Sequence, residues 1–180
     1  MNEAKRPGVN EAKRPGVNEA KRPGVNEAKR PGSGWQIRPL EPDDMEGVIS
    51  IDELHSGERK PHYWERAFGE QLSPDSRVIR VGLAAEEGDS LIGYLTGEVR
   101  AFEFGSEACG WILAVGVDPT HAREKVASSL LAAACRRFHE AGVTTVRTMV
   151  QRSDVPLLSF FRANGFVGGS FAQLELSLPE

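Results

Sequence analysis

The chain has 180 residues, 39% hydrophobic and 27% charged, which is enough for one ordinary hydrophobic core and hardly two. Residues 1–34 hold eight Lys or Arg against four Glu, whereas the remainder holds 14 against 22 and is acidic. An acidic body gives no electrostatic reason to expect a nucleic-acid partner, and no apolar stretch reaches the roughly 20 residues of a membrane helix. We expect a cytoplasmic protein, with Cys109 and Cys135 reduced inside apolar segments.

The amino-terminal residues 1–34 repeat the octapeptide Asn-Glu-Ala-Lys-Arg-Pro-Gly-Val, starting at Asn2. Each copy has one apolar residue larger than alanine, so the segment cannot bury enough surface to offset its ordering entropy. We expect a mobile tail with a reach of about 30 Å, followed by one domain at 35–180. Such a tail is long enough to contact its own cleft or that of a neighbouring copy.

From Trp35 onward, strand and helix patterns alternate, which predicts a mixed α/β (α+β) domain. The turn-rich residues 86–89 indicate a hairpin, and Gly142 ends a long helix whose apolar residues recur at helical spacing. The pattern predicts strands at 35–39, 77–84, 90–102, 107–117, 144–150 and 166–178, and helices at about 44–54, 61–72, 123–141 and 154–164.

The junction between the fourth strand and the long helix carries most of the functional information. Val117-Asp118-Pro119 closes the strand, and a polar turn from Thr120 to Lys125 leads into the helix. The start of that helix offers unpaired N–H groups and the positive end of the helix dipole. We interpret this segment as a cradle for a pyrophosphate.

This order of elements resembles the GCN5-related N-acetyltransferase (GNAT) superfamily over about residues 35–178. The family's cofactor segment reads V-x-P, two residues, Gln or Arg, two residues, Gly, one residue, and Gly or Ala. Val117, Pro119, Val126 and Ala127 fit this pattern, whereas Ala122 stands at the Gln or Arg position and Lys125 at the first Gly. The resemblance implies the GNAT fold, a mixed, mostly antiparallel twisted sheet of six to seven strands flanked by about four helices.

A second family motif lies near the carboxyl end. Similar proteins open the late helix with Asn, then have an aromatic residue or Tyr, and then Gly-Phe; this chain has Asp154, Phe160-Phe161 and Gly165-Phe166. The family's tyrosine hydroxyl protonates the sulfur of the departing coenzyme A. Phe161 stands at that position and has no proton to give, so the resemblance leaves this step to water.

The resemblance implies an N-acetyltransferase that moves the acetyl group of acetyl-CoA to a primary amine by direct attack in a ternary complex. In the family the fourth and fifth strands part near Val115–Val117, which leaves backbone groups free for the cofactor. The implied cofactor-binding residues are Val115, Gly116, Val117, Ala122, Arg123, Glu124, Lys125, Val126, Ala127, Ser128, Asp154 and Phe161.

The general base is open at this point. Relatives place a glutamate on the fourth or fifth strand, but the matching residues here, Trp111 and Met149, do not titrate. Glu98 and Glu107 are the nearest carboxylates along the sequence and are our catalytic candidates, with His121 in the turn as a further one. A water chain to bulk solvent is an alternative base.

The acceptor amine, a small molecule or a peptide, is expected to meet the segment from Glu53 to Trp64, where Glu53, His55, Tyr63 and Trp64 are the candidates. The four histidines and two cysteines show no metal-ligand spacing. A homodimer is compatible with the sequence. Two other functions stay open: a degenerate relative that binds acyl-CoA, or nothing, as a regulatory or interaction module, and a scaffold driven by the tail.

Overall fold

A five-stranded mixed sheet with helices on both faces organises the residues that the computed structural model describes, namely 34–73, 77–102 and 106–178. The predicted tail at 1–33 lies outside the described residues. In chain order the elements are β1 (Trp35–Pro39), α1 (Met45–Ser56), α2 (Pro61–Gln71), β2 (Arg80–Glu87), β3 (Ser90–Phe102), β4 (Ser106–Val117), α3 (Val126–Glu140), β5 (Val146–Arg147) and α4 (Val155–Ala163).

The strands lie side by side in their chain order, from β1 to β5. The first four are antiparallel to their neighbours, and β5 runs parallel to β4. A tight turn at Gly88, whose φ of 59° suits glycine, joins β2 to β3 as the predicted hairpin. The mixed, mostly antiparallel sheet with four helices is confirmed, but the described residues contain five strands where six to seven were expected.

The strand predicted at 166–178 does not form. Its apolar residues alternate as a strand requires, yet Val167, Leu174 and Leu178 are at least 80% exposed. A strand exists only where a neighbour completes its ladder of hydrogen bonds, and the last strand, β5, has only two residues. The alternating pattern therefore suits a β-strand, but no strand among the described residues pairs with this segment.

The helices divide the core into two layers. α3 packs on one face of the sheet, where Phe138, Leu130 and Val126 are fully buried, and α1 with α2 covers the other. The second layer consists of Leu40, Val48, Ile49, Ile51, Trp64, Phe68, Ala84 and Tyr94.

Glycines let α3 approach the sheet closely. The Phe138 ring occupies the space over Gly110, where a Cβ would lie 2.7 Å from the ring, and it also contacts Gly97. The helix begins at Val126, three residues later than predicted, because Arg123 and Lys125 have positive φ angles of 77° and 62°. This left-handed turn thereby fixes the start of the helix close to the end of β4.

One ion network fixes α1 against the sheet. Arg38 in β1 donates to both carboxylate oxygens of Asp44, at 2.7 and 2.8 Å, and its Nε donates to Glu86 in β2. The Glu41 amide also donates to Asp44, at 2.8 Å, and Asp44 directly precedes α1. Burial raises the pKa of Asp44, but the Arg38 and Glu41 hydrogen bonds outweigh it and leave this pKa below its usual value.

The structure bears on two expectations, the state of the cysteines and the absence of a membrane helix. Both cysteines are free thiols, with Cys109 buried and Cys135 partly buried, and burial raises the pKa of Cys135. Within the described ranges, no helix has the length and apolarity needed to cross a bilayer.

The Asp44 network predicts an acid-sensitive part of the stability. We expect Asp44→Asn to lower the free energy of unfolding by about 1.5–3 kcal/mol at neutral pH, because charge-assisted hydrogen bonds are lost. A lowered folded-state pKa stabilises above the unfolded value of about 3.9 and is lost as the pH falls through the folded value. The difference between the two proteins should therefore shrink in acid, as measured by urea unfolding across pH.

The exposed neighbour Asp43 supplies the matched control. Asp43→Asn should change the unfolding free energy by less than about 0.5 kcal/mol at any pH. Equal effects of the two substitutions would mean that the Arg38 network contributes nothing to stability.

Candidate functional site

The sheet opens between β4 and β5. Their ladder consists of the pairs Gly110 with Val146 and Trp111 with Arg147. The Thr148 hydroxyl then donates to the carbonyl of Ile112, at 3.2 Å, and within the described residues the two strands pair no further. Beyond Ile112, β4 continues to Val117 alongside β3 alone, which leaves its other edge open.

A β-bulge marks the start of this open edge. Thr96 of β3 pairs with Ala114 and Gly97 pairs with Ile112, so Leu113 is the extra residue of β4 and is 47% exposed. Bulges bend a strand and re-aim its side chains. The bulge lies two residues before Val115 and helps to turn β4 away from β5.

The open edge borders a cleft of about 310 Å³. It is bounded by α1 and α2 on one side and by the segment after β5 and α4 on the other. Its lining residues are Asp52, Lys60, Tyr63, Trp64, Tyr94, Ile112, Leu113, Ala114, Val115, Thr148, Met149, Leu157 and Phe161. The cleft thus brings together residues from both halves of the chain, among them the predicted Tyr63, Trp64, Val115 and Phe161.

Backbone groups of β4 face this cleft. The Asp118 amide donates to the carbonyl of Ile92 at 2.9 Å, and hydrogen-bonding direction alternates along antiparallel strands. Val117 and Val115 therefore direct their N–H and C=O groups away from β3, toward the open edge. His55 Nε2–H occupies one of these, because it donates to the Val117 carbonyl at 2.7 Å. Among the described residues the groups of Val115 and the Val117 amide have no such partner, so they are available to a ligand.

The absence of a side chain at Gly116 lets the Tyr94 ring lie against the backbone of β4. The two residues are paired across β3 and β4, and a Cβ on Gly116 would lie 2.6 Å from Cε1 and 3.0 Å from Cζ of the tyrosine ring. Trp64 also contacts the ring edge-to-face, with the two centroids 5.3 Å apart. Tyr94 therefore crosses β4 in the direction of the cleft.

Asp52 is the one carboxylate among the described residues that line the cleft. It lies on α1, accepts a hydrogen bond from Trp64 Nε1 at 3.1 Å, and forms an ion pair with Lys60 Nζ at 3.1 Å. Its side chain is 19% exposed. Two cleft-lining groups thus hold its carboxylate in the wall of the cleft.

The turn before α3 presents backbone amides. The first intrahelical bond runs from the Ser129 amide to the Lys125 carbonyl, at 2.9 Å, so the amides of Val126, Ala127 and Ser128 precede it and have no helical acceptor. The backbone of Lys125 has a left-handed conformation, and its side chain is exposed. Ala122, Arg123 and Glu124 complete an exposed turn.

Asp118 shapes the entry to that turn. It accepts from the Thr120 amide at 2.8 Å and from its hydroxyl at 2.6 Å. These hydrogen bonds lower the pKa of Asp118 despite slight burial. The carboxylate is thus a structural cap that stays ionised.

The two residues predicted at α4 differ in role, because Asp154 caps the helix and Phe161 lines the cleft. Asp154 accepts from the Leu157 amide at 3.0 Å and is therefore occupied as the helix cap. Phe161 is buried, packs edge-to-face on Phe160 and Phe166, and lines the cleft.

The remaining predicted residues lie outside the cleft lining. Glu98 pairs with Arg100 and lines an adjoining groove of about 260 Å³ that shares Tyr63 and Trp64 with the cleft. Glu107 is exposed near the start of β4, and Glu53 pairs with Arg59 on the surface of α1.

His121 contacts Thr120 and, at 3.3 Å, Glu87, and it does not line the cleft. Within the described part of the chain no cluster of His, Cys, Asp or Glu could hold a metal ion.

The sequence did not indicate Asp52 or Tyr94 as site residues, and it placed Lys60 in the acceptor segment without making it a candidate. Asp52 directly precedes the predicted acceptor segment and Lys60 lies within it, so proximity in sequence was the signal for both. Tyr94 lies on an ordinary strand, and only its pairing with Gly116 places it at the cleft.

Comparison with known proteins identifies a family. The family model of the acetyltransferase (GNAT) family matches residues 43–166. No curated protein sequence matches the chain at a significant level.

Solved structures share the fold at low sequence identity. Aminoglycoside N-acetyltransferase AAC(6')-Iy, bound to the bisubstrate analogue CoA-S-monomethyl-acetylneamine, is 16% identical with a TM-score of 0.68, covering 81% of this chain and 99% of its own. Glucosamine-6-phosphate N-acetyltransferase from Arabidopsis thaliana is 18% identical with a TM-score of 0.61, covering 79% and 97%. A transcriptional regulator from Bacillus halodurans C-125 is 18% identical with a TM-score of 0.66, covering 80% and 99%.

The left-handed backbone at Lys125 predicts a local strain. We expect Lys125→Gly to unfold with a free energy about 1 kcal/mol higher than Lys125→Ala, because alanine keeps the Cβ that opposes this conformation and glycine does not. Chemical denaturation of the two variants measures the difference. The pair is matched because both lose the same ammonium group, and equal stabilities would show that the turn relaxes without strain.

Proposed function

Because this chain belongs to the GNAT family of acetyltransferases, we propose that it transfers an acetyl group from acetyl-CoA to a primary amine by direct attack within a ternary complex. The observation that carries the proposal is the parting of β4 from β5 over a cleft, with the start of α3 beside it. This arrangement offers backbone groups to the pantetheine arm of the acyl donor and an anion site to its pyrophosphate.

The chain's residues fit the acyl donor in two places. The amides of Val126, Ala127 and Ser128, at the positive end of a 15-residue helix, suit the pyrophosphate, and Lys125 adds a cation there. Residues 122–124 form the turn around it.

Along the open edge, Val115 and the Val117 amide are available to bond the pantetheine amides, and Gly116 between them makes room for the Tyr94 ring. Backbone donors of this kind also polarise the thioester carbonyl, so the attacked carbon becomes more electrophilic. The donor supplies the activated acetyl group, and the protein binds and orients it.

The acceptor amine meets the opposite wall of the cleft. Tyr63 and Trp64 provide aromatic surface, and the Asp52 carboxylate attracts an ammonium group. His55 positions the end of β4, and Glu53 lies one residue beyond Asp52 on α1. Solved neighbours named for aminoglycosides and glucosamine-6-phosphate support a small-molecule amine as acceptor.

Three carboxylates are candidates for accepting the amine's proton. Glu98 lies in the adjoining groove and Glu107 at the exposed start of β4, whereas Asp52 lines the cleft itself. A general base must be within hydrogen-bond reach of the proton or one water away, and this requirement favours Asp52.

A second candidate function is an acyl-CoA-binding module without catalysis. It is favoured by Phe161, which lacks a hydroxyl, and by non-glycine residues at both left-handed positions of the turn. Binding without turnover across an amine panel would select this function over the transferase.

Acetyl-CoA binding tests the donor site. In calorimetry we expect acetyl-CoA and CoA to bind and adenosine alone to bind far more weakly, because the pyrophosphate contacts are missing. Ser128→Asp should weaken binding at least about tenfold through charge repulsion, while the helix start tolerates the added carboxylate. Ser128→Asn is the neutral, equal-sized control, and no binding by the unmodified chain would end the proposal.

Thiol release with a panel of primary amines tests the transfer itself. We expect Asp52→Asn to lower kcat/KM about 10²-fold at neutral pH, a larger loss than Glu98→Gln or Glu107→Gln. The loss should diminish at alkaline pH, where more of the acceptor is already deprotonated. Asp43→Asn, at an exposed residue outside the cleft lining, controls for charge change, and an unaltered rate in Asp52→Asn would assign the base elsewhere.

A further inference from the structure

The whole chain has two tyrosines, Tyr63 and Tyr94, and both line the cleft. Their burial differs, because Tyr63 is 49% exposed whereas Tyr94 is 3% exposed. Phe161 lines the same cleft and has only a phenyl ring. A phenolic proton donor inside the site must therefore come from one of these two tyrosines.

The position of Tyr94 follows from β-strand register. Tyr94 pairs with Gly116, and its ring lies over the glycine so closely that a Cβ there would be 3.0 Å from Cζ, the carbon that bears the hydroxyl. Gly116 belongs to the stretch of β4 that has lost its β5 neighbour. The hydroxyl thus reaches the open edge of the sheet from the α1 and α2 face.

The surroundings of Tyr94 keep its proton in place. Its hydroxyl has no hydrogen-bond partner among the described residues, although the side chain is almost wholly buried. Burial, together with the nearby Asp52 carboxylate and Tyr63, raises the pKa of Tyr94 well above its usual value. Trp64 holds the ring edge-to-face and also holds Asp52 through its indole N–H. The group is therefore a fixed, protonated and unoccupied donor.

We propose that Tyr94 is the catalytic acid that protonates the leaving sulfur of coenzyme A, from β3. This inference rests on the proposed acetyl transfer. The amine nitrogen bonds to the acetyl carbon and gives its proton to a carboxylate or water, while the carbon–sulfur bond breaks. Tyr94 transfers its hydroxyl proton to that sulfur while a water proton replaces it on the phenol oxygen, and the proton taken from the amine neutralises the hydroxide so formed. The products are the amide and free coenzyme A thiol.

Tyr94→Phe tests the chemical role. It keeps the ring and its contacts with Trp64 and Gly116, so the fold should persist, as circular dichroism will check. We expect the single-turnover rate of acetyl transfer to fall at least about tenfold, with acetyl-CoA affinity unchanged, because backbone groups hold the donor. The double variant Tyr94→Phe/Phe161→Tyr should regain most of the lost rate, since it places a hydroxyl on the same cleft from α4.

Product binding gives a readout independent of activity. A donor aimed at sulfur favours the thiolate and lowers the thiol pKa in the complex, so calorimetric affinity for coenzyme A should increase as pH rises toward the pKa of the free thiol and level off above it. Tyr94→Phe should lose this increase, and acetyl-CoA, which has no thiol, should not show it with either protein. Tyr63→Phe is the matched control: it should alter acceptor KM and keep the pH dependence of coenzyme A affinity.

The outcomes separate the two proposals. A wild-type chain that binds no acetyl-CoA overturns the proposed function itself. An active wild type whose Tyr94→Phe variant transfers acetyl equally fast, or keeps the pH-dependent affinity, overturns the role of Tyr94 alone. Loss of both readouts in Tyr94→Phe, but not in Tyr63→Phe, establishes it.

Discussion

The candidate site depends on the separation of β4 from β5 after two ladder pairs. A sheet normally satisfies each strand edge with its neighbour, and here β4 continues from Ile112 to Val117 with one edge unpaired. The bulge at Leu113 and the bond from Thr148 to Ile112 mark the place where the strands diverge. Backbone groups that would otherwise hold the sheet together are thereby available to a ligand.

The two core layers hold this opening in place. On one face, Phe138 packs over Gly110 and draws α3 against β4, so the amides at the start of α3 lie beyond the end of that strand. On the other face, Trp64 contacts both Tyr94 and Asp52. The cleft is therefore continuous with the hydrophobic core, and its polar groups are fixed by packing.

The chain departs from its family at points where backbone geometry persists without the usual side chain. Lys125 stands at the family's glycine position and adopts a left-handed angle that glycine would adopt more readily, yet the helix start retains its amides. Phe161 keeps the aromatic contact of α4 without a hydroxyl. In the proposed reaction, the backbone contribution to donor binding is thus separable from the side-chain contribution to proton transfer, which we propose Tyr94 makes from another strand.

Local patterns in the sequence were sufficient to predict the helices, the hairpin and the turn after Val117, because periodicity and capping act over a few residues. The family was indicated by a resemblance that the motifs around that turn and near the carboxyl end carry. They could not predict the fate of 166–178, since a strand depends on a partner elsewhere. Nor could they place Asp52 beside Trp64 or Tyr94 across Gly116. Those contacts are set by helix packing and strand register, which only the tertiary structure decides because they join residues distant in the chain.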